Sequence, residues 1–581
     1  MSKKQMRIIL ITILVAASLL RLWGLSRGDM LNDEVTYSLR AIGLVDYFNE
    51  PSQTTPLMWF DPSPPWWTKI SFHDHPPLVF LVQYLFISVF GENAIAFRLP
   101  SVILGVLSVW LVFLLGRRLF SEGAGLVAAA LTAVTLSQVF ISRVGMQEVY
   151  VIFFTLLASL LFLKSLENEK YFIPWGITLG LAFLTKYTAF ILVPIFGIYL
   201  LFAKPAAFLN KKFWLGCLFA LLLFTPVLVY NVELYRAVGH FDFQFSYLLR
   251  QHPKEWPLAP GRTEVGTLSD RIRDFAPHLI ESNSWPFLAI FAASILAFLV
   301  MLFRRPRETL GKYGFLVTTF FYFALLLLLI GPTYRFLTLL VPFMAISAAA
   351  FLWWVYQKFF VGKVWPAPLE ASPDATPGLP RFRRGPLTGL AVFLFMLIIG
   401  FEVFYSYNNQ IAYYPKGTEP WLASKVRYEN YNVGYRELGE YLDKEMKGKM
   451  PGVVFDSRYS FLLALQESAI ERAKAEGREP LFALFVYYDN FDLGPRLWIL
   501  DRLLVYHGWP VMNFGAYSSV IQENGRDYFN RAGIKQVYFI QRTNIVPSPE
   551  FLSEVKAATP IGILDPKGGE AFRVYKTEAG R

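Results

Sequence analysis

The chain has 581 residues, of which 54% are hydrophobic and only 17% charged, with 54 Phe and a formal charge of +11. Such a balance excludes an ordinary water-soluble globule and points to a polytopic membrane protein carrying a polar portion. Residues 411–581 hold 22 Lys/Arg against 21 Asp/Glu, so the positive excess belongs to the apolar part and fits basic loops on an anionic leaflet rather than nucleic acid. The single cysteine, Cys217, excludes an internal disulfide and a cysteine metal site.

In chain order, Lys3, Lys4 and Arg7 precede the apolar run Ile8–Leu20. No small-x-small cleavage site follows it, which predicts an uncleaved first span. Further spans are predicted near 99–116, 123–142, 149–163, 171–185, 187–203, 213–232, 282–303, 313–334, 336–357 and 385–401, about eleven in all, against the roughly 20 residues a crossing needs. Leu78–Phe90 is short enough to lie flat at the interface. With it flat, the loops on the N-terminal side carry 16 Lys/Arg, and the short opposite loops carry only Arg143, Lys186 and Arg335. The positive-inside rule then sends Asp33, Glu34, His73, Asp74, His75, Glu148, Lys186, Arg335 and the tail outward.

The fold class expected is mostly α, with a membrane domain over residues 1–405 and an extracytoplasmic α/β domain over 406–581. The first outer loop, 26–98, carries juxtamembrane helices. Alternation at His240–Tyr247 suits a short strand or an aromatic surface lying on lipid or sugar, and 367–384 reads as a basic, proline-rich linker. In the tail, Tyr435, Leu438 and Leu442 share a helical face, 458–475 has helical spacing, and 452–456, 481–487 and 535–540 resemble strands.

Three stretches resemble a known family. They are Asn32-Asp33-Glu34-Val35-Thr36-Tyr37; His75-Pro76-Pro77-Leu78 with Phe97-Arg98-Leu99-Pro100 and Gly116-Arg117-Arg118; and Ser142-Arg143 through Glu148 with Leu184-Thr185-Lys186-Tyr187. Their order on this topology resembles the GT-C membrane glycosyltransferases. The similar branch holds the protein O-mannosyltransferases, the aminoarabinose transferases and the RgtA/B/C/D-like enzymes, a glycosyltransferase family 39/83-like pattern. The tail has no Trp-Trp-Asp-Tyr-Gly motif of the oligosaccharyltransferases, and Asp74-His75 stands where the aminoarabinose transferases have Glu-Lys. The resemblance implies inverting transfer of a sugar from a polyprenyl-phosphate donor, such as undecaprenyl or dolichyl phosphate, to an extracytoplasmic protein, lipid or glycan. A polytopic transporter or flippase is the competing class, although no internal repeat supports it.

Such transfer needs a base for the acceptor hydroxyl and fixed cations for the departing phosphate. Asp33 is the expected base, with partial burial raising its affinity for a proton, and Glu34 is expected to orient the sugar. Both also suit capping of a helix over 35–42. Arg143, Lys186 and Arg335 are candidates for the donor phosphate, or are interfacial snorkelling residues. Asp74, His75 and Glu148 are candidates for acceptor or sugar binding, or for a divalent Mg or Mn ion. The expected partners are membrane lipid, the lipid-linked donor and an extracytoplasmic acceptor.

Overall fold

In the computed structural model, residues 2–30, 33–47, 53–256, 266–360, 386–455 and 457–580 are described. Asn32, the 367–384 linker and Asp456 lie outside them. The chain forms two compact units. One comprises Met1–Trp23, Ser101–Thr225 and Arg262–Arg427; the other comprises Gly24–Pro100, Pro226–Gly261 and Tyr428–Arg581.

The first unit is helical. Among the described residues, seven helices of the chain are long and apolar enough to cross a membrane: Lys3–Leu22, Ala94–Leu119, Glu148–Ser165, Lys211–Val238, Trp285–Arg304, Pro306–Ile330 and Gly389–Gln410. The other four expected spans are interrupted or short. The 123–142 run breaks at Thr135, which is extended, into Glu122–Val134 and Leu136–Ile141. Phe172–Phe183, Leu192–Ala203 and Val341–Val355 are 12, 12 and 15 residues long. Each has a proline in its first turn, which seeds a helix start rather than continuing one. Small residues let helices meet closely: a Cβ added at Gly176 would stand 2.0 Å from the Gly216 carbonyl oxygen. Bilayers favour such contacts because packing, not water exclusion, drives helix association there.

The second unit joins an α/β layer to the first outer loop. Its strands are β1 (Lys449–Pro451), β2 (Glu479–Leu481), β3 (Ala483–Tyr487), β4 (Val511–Asn513), β5 (Gln536–Arg542), β6 (Ile561–Leu564) and β7 (Glu570–Glu578). The main sheet has the order β4-β3-β5-β7-β6, with β3 parallel to both neighbours and β7 antiparallel to β5 and β6. All five β3 side chains are buried. Phe485 and Tyr487 enter one core, Leu484 and Val486 another, as expected of a strand covered on both faces.

The Tyr435–Met446 helix buries Tyr435, Leu438, Leu442 and Met446 at the expected spacing. The strand expected at 452–456 lies earlier, as β1. His240–Tyr247 is not a strand: Asp242 accepts from the Phe245 N–H and caps a Phe243–Leu248 helix. Leu78–Phe90 is a helix that buries Val79, Phe80, Gln83 and Ile87. Its opposite face exposes Leu81, Leu85, Val89 and Phe90, apolar residues that suit lipid rather than water.

Candidate active site

One cluster of candidate residues is built on the helix Asp33–Gly43, which already includes Asp33 and Glu34. Asp33, Tyr37 and Arg40 fall three and four residues apart and so share a face. The Tyr37 hydroxyl lies 3.4 Å from Asp33 Oδ2 and 3.3 Å from His75 Nε2, bridging the two. His75 Nδ1 is 2.9 Å from Asp74 Oδ1, which accepts from Arg40 Nη1 at 2.6 Å.

Behind them, Arg40 Nη2 lies 3.6 Å from Asp46, and Asp46 binds His73 through both the ring Nδ1 (2.9 Å) and the backbone N–H (2.7 Å). Burial pushes the Asp74 carboxyl up, but Arg40, His75 and His73 together outweigh it and hold Asp74 well below the usual carboxylate range. For His73, burial disfavours the charged ring, yet Asp46 and Asp74 prevail and raise its proton affinity. A buried, ionised network therefore fixes the imidazole of His75 beside the Tyr37–Asp33 pair.

Glu34 is differently engaged. It is 2% exposed and grips Arg98 with both oxygens, at 2.7 and 2.8 Å. Arg98 also donates to the carbonyls of Leu25, Gly28 and Asp29. Asp29 in turn accepts the Val433 and Arg436 N–H groups at 2.6 and 2.7 Å. Glu34 thus anchors a junction between the loop after residue 24 and the α/β layer. This pairing leaves its carboxylate a structural employment that the sequence expectation of sugar contact did not include.

In the helical unit, Glu148 opens the helix Glu148–Ser165 and is 1% exposed. Its Oε1 accepts from Lys186 Nζ at 2.6 Å and lies 3.8 Å from Arg335 Nε. Both cations also lie over the Phe336 ring, each 4.8 Å from its centroid. Glu148 Oε2 and both amide atoms of the fully buried Gln147 have no protein partner among the described residues. The arrangement is two cations held around one carboxylate, next to polar atoms that suit a further polar ligand.

Arg143 contacts the end of the first helix. Its Nη1 donates to the carbonyls of Leu20, Arg21 and Trp23, closing the C-terminus of the first helix. The same unit holds a cavity of about 380 Å³ lined almost wholly by carbon, including Phe275, Leu279, Phe291, Phe298, Leu316 and Phe320.

The expected metal set divides between the two units: Asp74 and His75 in one, Glu148 in the other. Among the described residues, the group with ligand atoms close enough for an ion is Asp46, His73 and Asp74, within 4.8 Å of one another. Arg40 already neutralises both of those carboxylates, so a divalent ion does not fit there as the network stands.

Sequence reasoning missed Arg40, Tyr37 and Asp46 in this network and Arg98 as the partner of Glu34. Arg40 and Tyr37 were findable, since the 33-37-40 spacing repeats one helix face. The 64-residue separation of Glu34 from Arg98 carries no such signal.

Residues 74–230 match the family described as dolichyl-phosphate-mannose-protein mannosyltransferase. YycA of Bacillus subtilis (strain 168), provisionally named a mannosyltransferase, is 30% identical over 218 residues, 36% of this chain and 30% of that protein. YkcB of the same organism, provisionally named likewise, is 26% identical over 240 residues, 40% of this chain and 32% of its own length. The chain thus spans about a third of the curated relatives it matches. Among solved structures, ArnT from Cupriavidus metallidurans bound to undecaprenyl phosphate superposes with a TM-score of 0.50 at 11% identity, covering 99% of this chain and 98% of that one. Family match, relatives and fold all fit a GT-C glycosyltransferase.

Proposed function

We propose that this GT-C protein transfers a sugar from a polyprenyl-phosphate carrier to a hydroxyl of an extracytoplasmic acceptor, with inversion at the anomeric carbon. The observation that carries the reading is the Lys186–Glu148–Arg335 cluster, where a carboxylate and an aromatic ring hold two cations in place. A phosphate leaving group gathers negative charge as the C1–O bond breaks, and pre-set cations stabilise that charge without reorganising. The carbon-lined cavity of the same unit suits the isoprenoid tail of the donor.

The acceptor oxygen attacks C1 from the side opposite the phosphate. Its proton passes to Asp33, and the electron pair of the broken bond stays on the carrier phosphate. Tyr37 and His75 orient Asp33, while Asp74 and Arg40 keep His75 in place. Asp74 and His75 remain candidates for contact with the acceptor, and Glu148 with the sugar. Glu34 and Arg143 act through structure: Glu34 by fixing Arg98, Arg143 by closing the first helix. No step uses a metal.

The C-terminal layer is proposed to stand outside the membrane. The test is sugar transfer in membranes supplied with lipid-linked donor. Lys186→Gln and Arg335→Gln are each expected to lower kcat/KM by roughly 10²-fold, the loss typical of one oxyanion partner. Unchanged kcat/KM in both would remove the phosphate assignment.

A further inference from the structure

The second unit holds a cavity of about 180 Å³ that the transfer chemistry does not use. Its walls come from the segment after residue 26, from Glu92 and Asn93, from the Tyr435–Met446 helix, and from Trp498 and Arg502. The cavity is smaller than the roughly 300–1,000 Å³ of a drug-sized site, so it takes one compact polar group rather than an extended glycan.

Charges of both signs line it. Arg502 Nη1 lies 3.0 Å from Glu92 and its Nη2 3.7 Å from Asp443, while its Cζ stands 4.8 Å over the Trp498 ring. Arg436 Nε is 3.0 Å from Glu440. The Glu440 and Asp443 side chains are each 64% exposed, leaving carboxylate oxygens open to a ligand. Acidic groups outnumber the two arginines, which selects for a ligand that brings a cation of its own. A phosphate against the arginines and an ammonium against Glu440 and Asp443 would satisfy both signs.

The surroundings say how such a ligand arrives. Val89 and Phe90, 74% and 57% exposed, precede Glu92, and Ile95, 48% exposed, follows Asn93. Val89 and Phe90 belong to the apolar outward face of the Leu78–Phe90 helix, and Ile95 to the first turn of the next helix, Ala94–Leu119. The cavity wall is therefore flanked on both sides by side chains suited to acyl chains. A polar cavity set between lipid-facing residues suits an amphiphile.

We propose that this cavity binds the headgroup of a zwitterionic phospholipid, a phosphodiester joined to a primary ammonium, with its acyl chains along the apolar face of the Leu78–Phe90 helix. This site is separate from the transfer chemistry, and its test requires no turnover.

The full chain is reconstituted in phosphatidylglycerol vesicles doped with a photoreactive phosphatidylethanolamine, and the labelled peptides are mapped by mass spectrometry. Labels are expected within 78–95, 435–446 or 493–507. Glu440→Gln with Asp443→Asn is expected to cut labelling about tenfold, while Glu471→Gln, an exposed carboxylate elsewhere, leaves it unchanged. Soluble phosphoethanolamine in excess is expected to compete weakly, since it brings the headgroup without the acyl chains. Unchanged labelling in the double variant, equal labelling by a photoreactive phosphatidylglycerol, or displacement by soluble oligosaccharide instead would each overturn the proposal.

Discussion

Replacing Glu34 with Gln separates a residue that holds the fold from one that touches sugar. The Glu34–Arg98 pair is bidentate, and its two members are 2% and 4% exposed. At a charge separation near 4 Å and an effective dielectric of about 20, their attraction is on the order of 4 kcal/mol. Removing one member of such a buried pair costs about 3–5 kcal/mol, because the other charge is left uncompensated. If the second unit unfolds cooperatively, that loss lowers its Tm by roughly 5–10 °C.

The assay is a thermal melt of Glu34→Gln, Arg98→Gln and the double variant in one detergent, read as a double-mutant cycle. A coupling of about 3 kcal/mol is expected, with the double variant little worse than either single one. Transfer activity measured below the melt should keep its donor KM. Additive losses, with coupling under about 0.5 kcal/mol, or a raised donor KM in a fully folded Glu34→Gln, would refute the structural role.

Other consequences follow from the same geometry. Asp33→Asn should abolish transfer while leaving the melt within about 2 °C of wild type, because Asp33 is half-buried and an amide oxygen still accepts from Tyr37; scintillation counting of transferred sugar checks this. Glu92 is bound by His507 and Arg502 at 2.8 and 3.0 Å. Burial pushes its carboxyl up, but these partners prevail and bring it from 4.5 down to about 2. Since the folded value is the lower one, its stabilisation is full above about pH 4.5 and is lost as pH falls towards 2. Melts across that interval should show a steeper loss for wild type than for Glu92→Gln, and parallel curves would contradict it. Val89→Lys should weaken membrane seating of the Leu78–Phe90 helix, read as faster proteolysis of the first outer loop in vesicles; unchanged cleavage would place that face away from lipid.

Much of this was legible in the sequence, and the limits have physical causes. Helices that cross the bilayer in one piece, such as Lys3–Leu22 and Trp285–Arg304, announce themselves by unbroken apolar length. Helices broken at Thr135, or started late with Pro194 and Pro342 in their first turns, look continuous to hydropathy, because a break changes backbone geometry and not polarity. Lys186 and Arg335 were anticipated, with Arg143, as partners of the donor phosphate because the short outer loops carry no other Lys or Arg, and Glu148 was anticipated as a sugar, acceptor or metal contact. Their mutual pairing was not, because it depends on side chains 38 and 187 residues apart in the chain. His240–Tyr247 shows another limit: alternating aromatics suited a short strand or an aromatic surface equally, and the Asp242 cap that starts a helix there decides against the strand.

The most direct measurement is a cryo-EM map of the protein in nanodiscs with a non-hydrolysable polyprenyl-phosphonate sugar. The expected map has phosphonate oxygens about 3 Å from Lys186 and Arg335, the isoprenoid in the carbon-lined cavity, and the Asp33 carboxylate on the face of the sugar opposite the phosphonate. A phosphonate held by other cations, with Asp33 remote from the anomeric carbon, would contradict it.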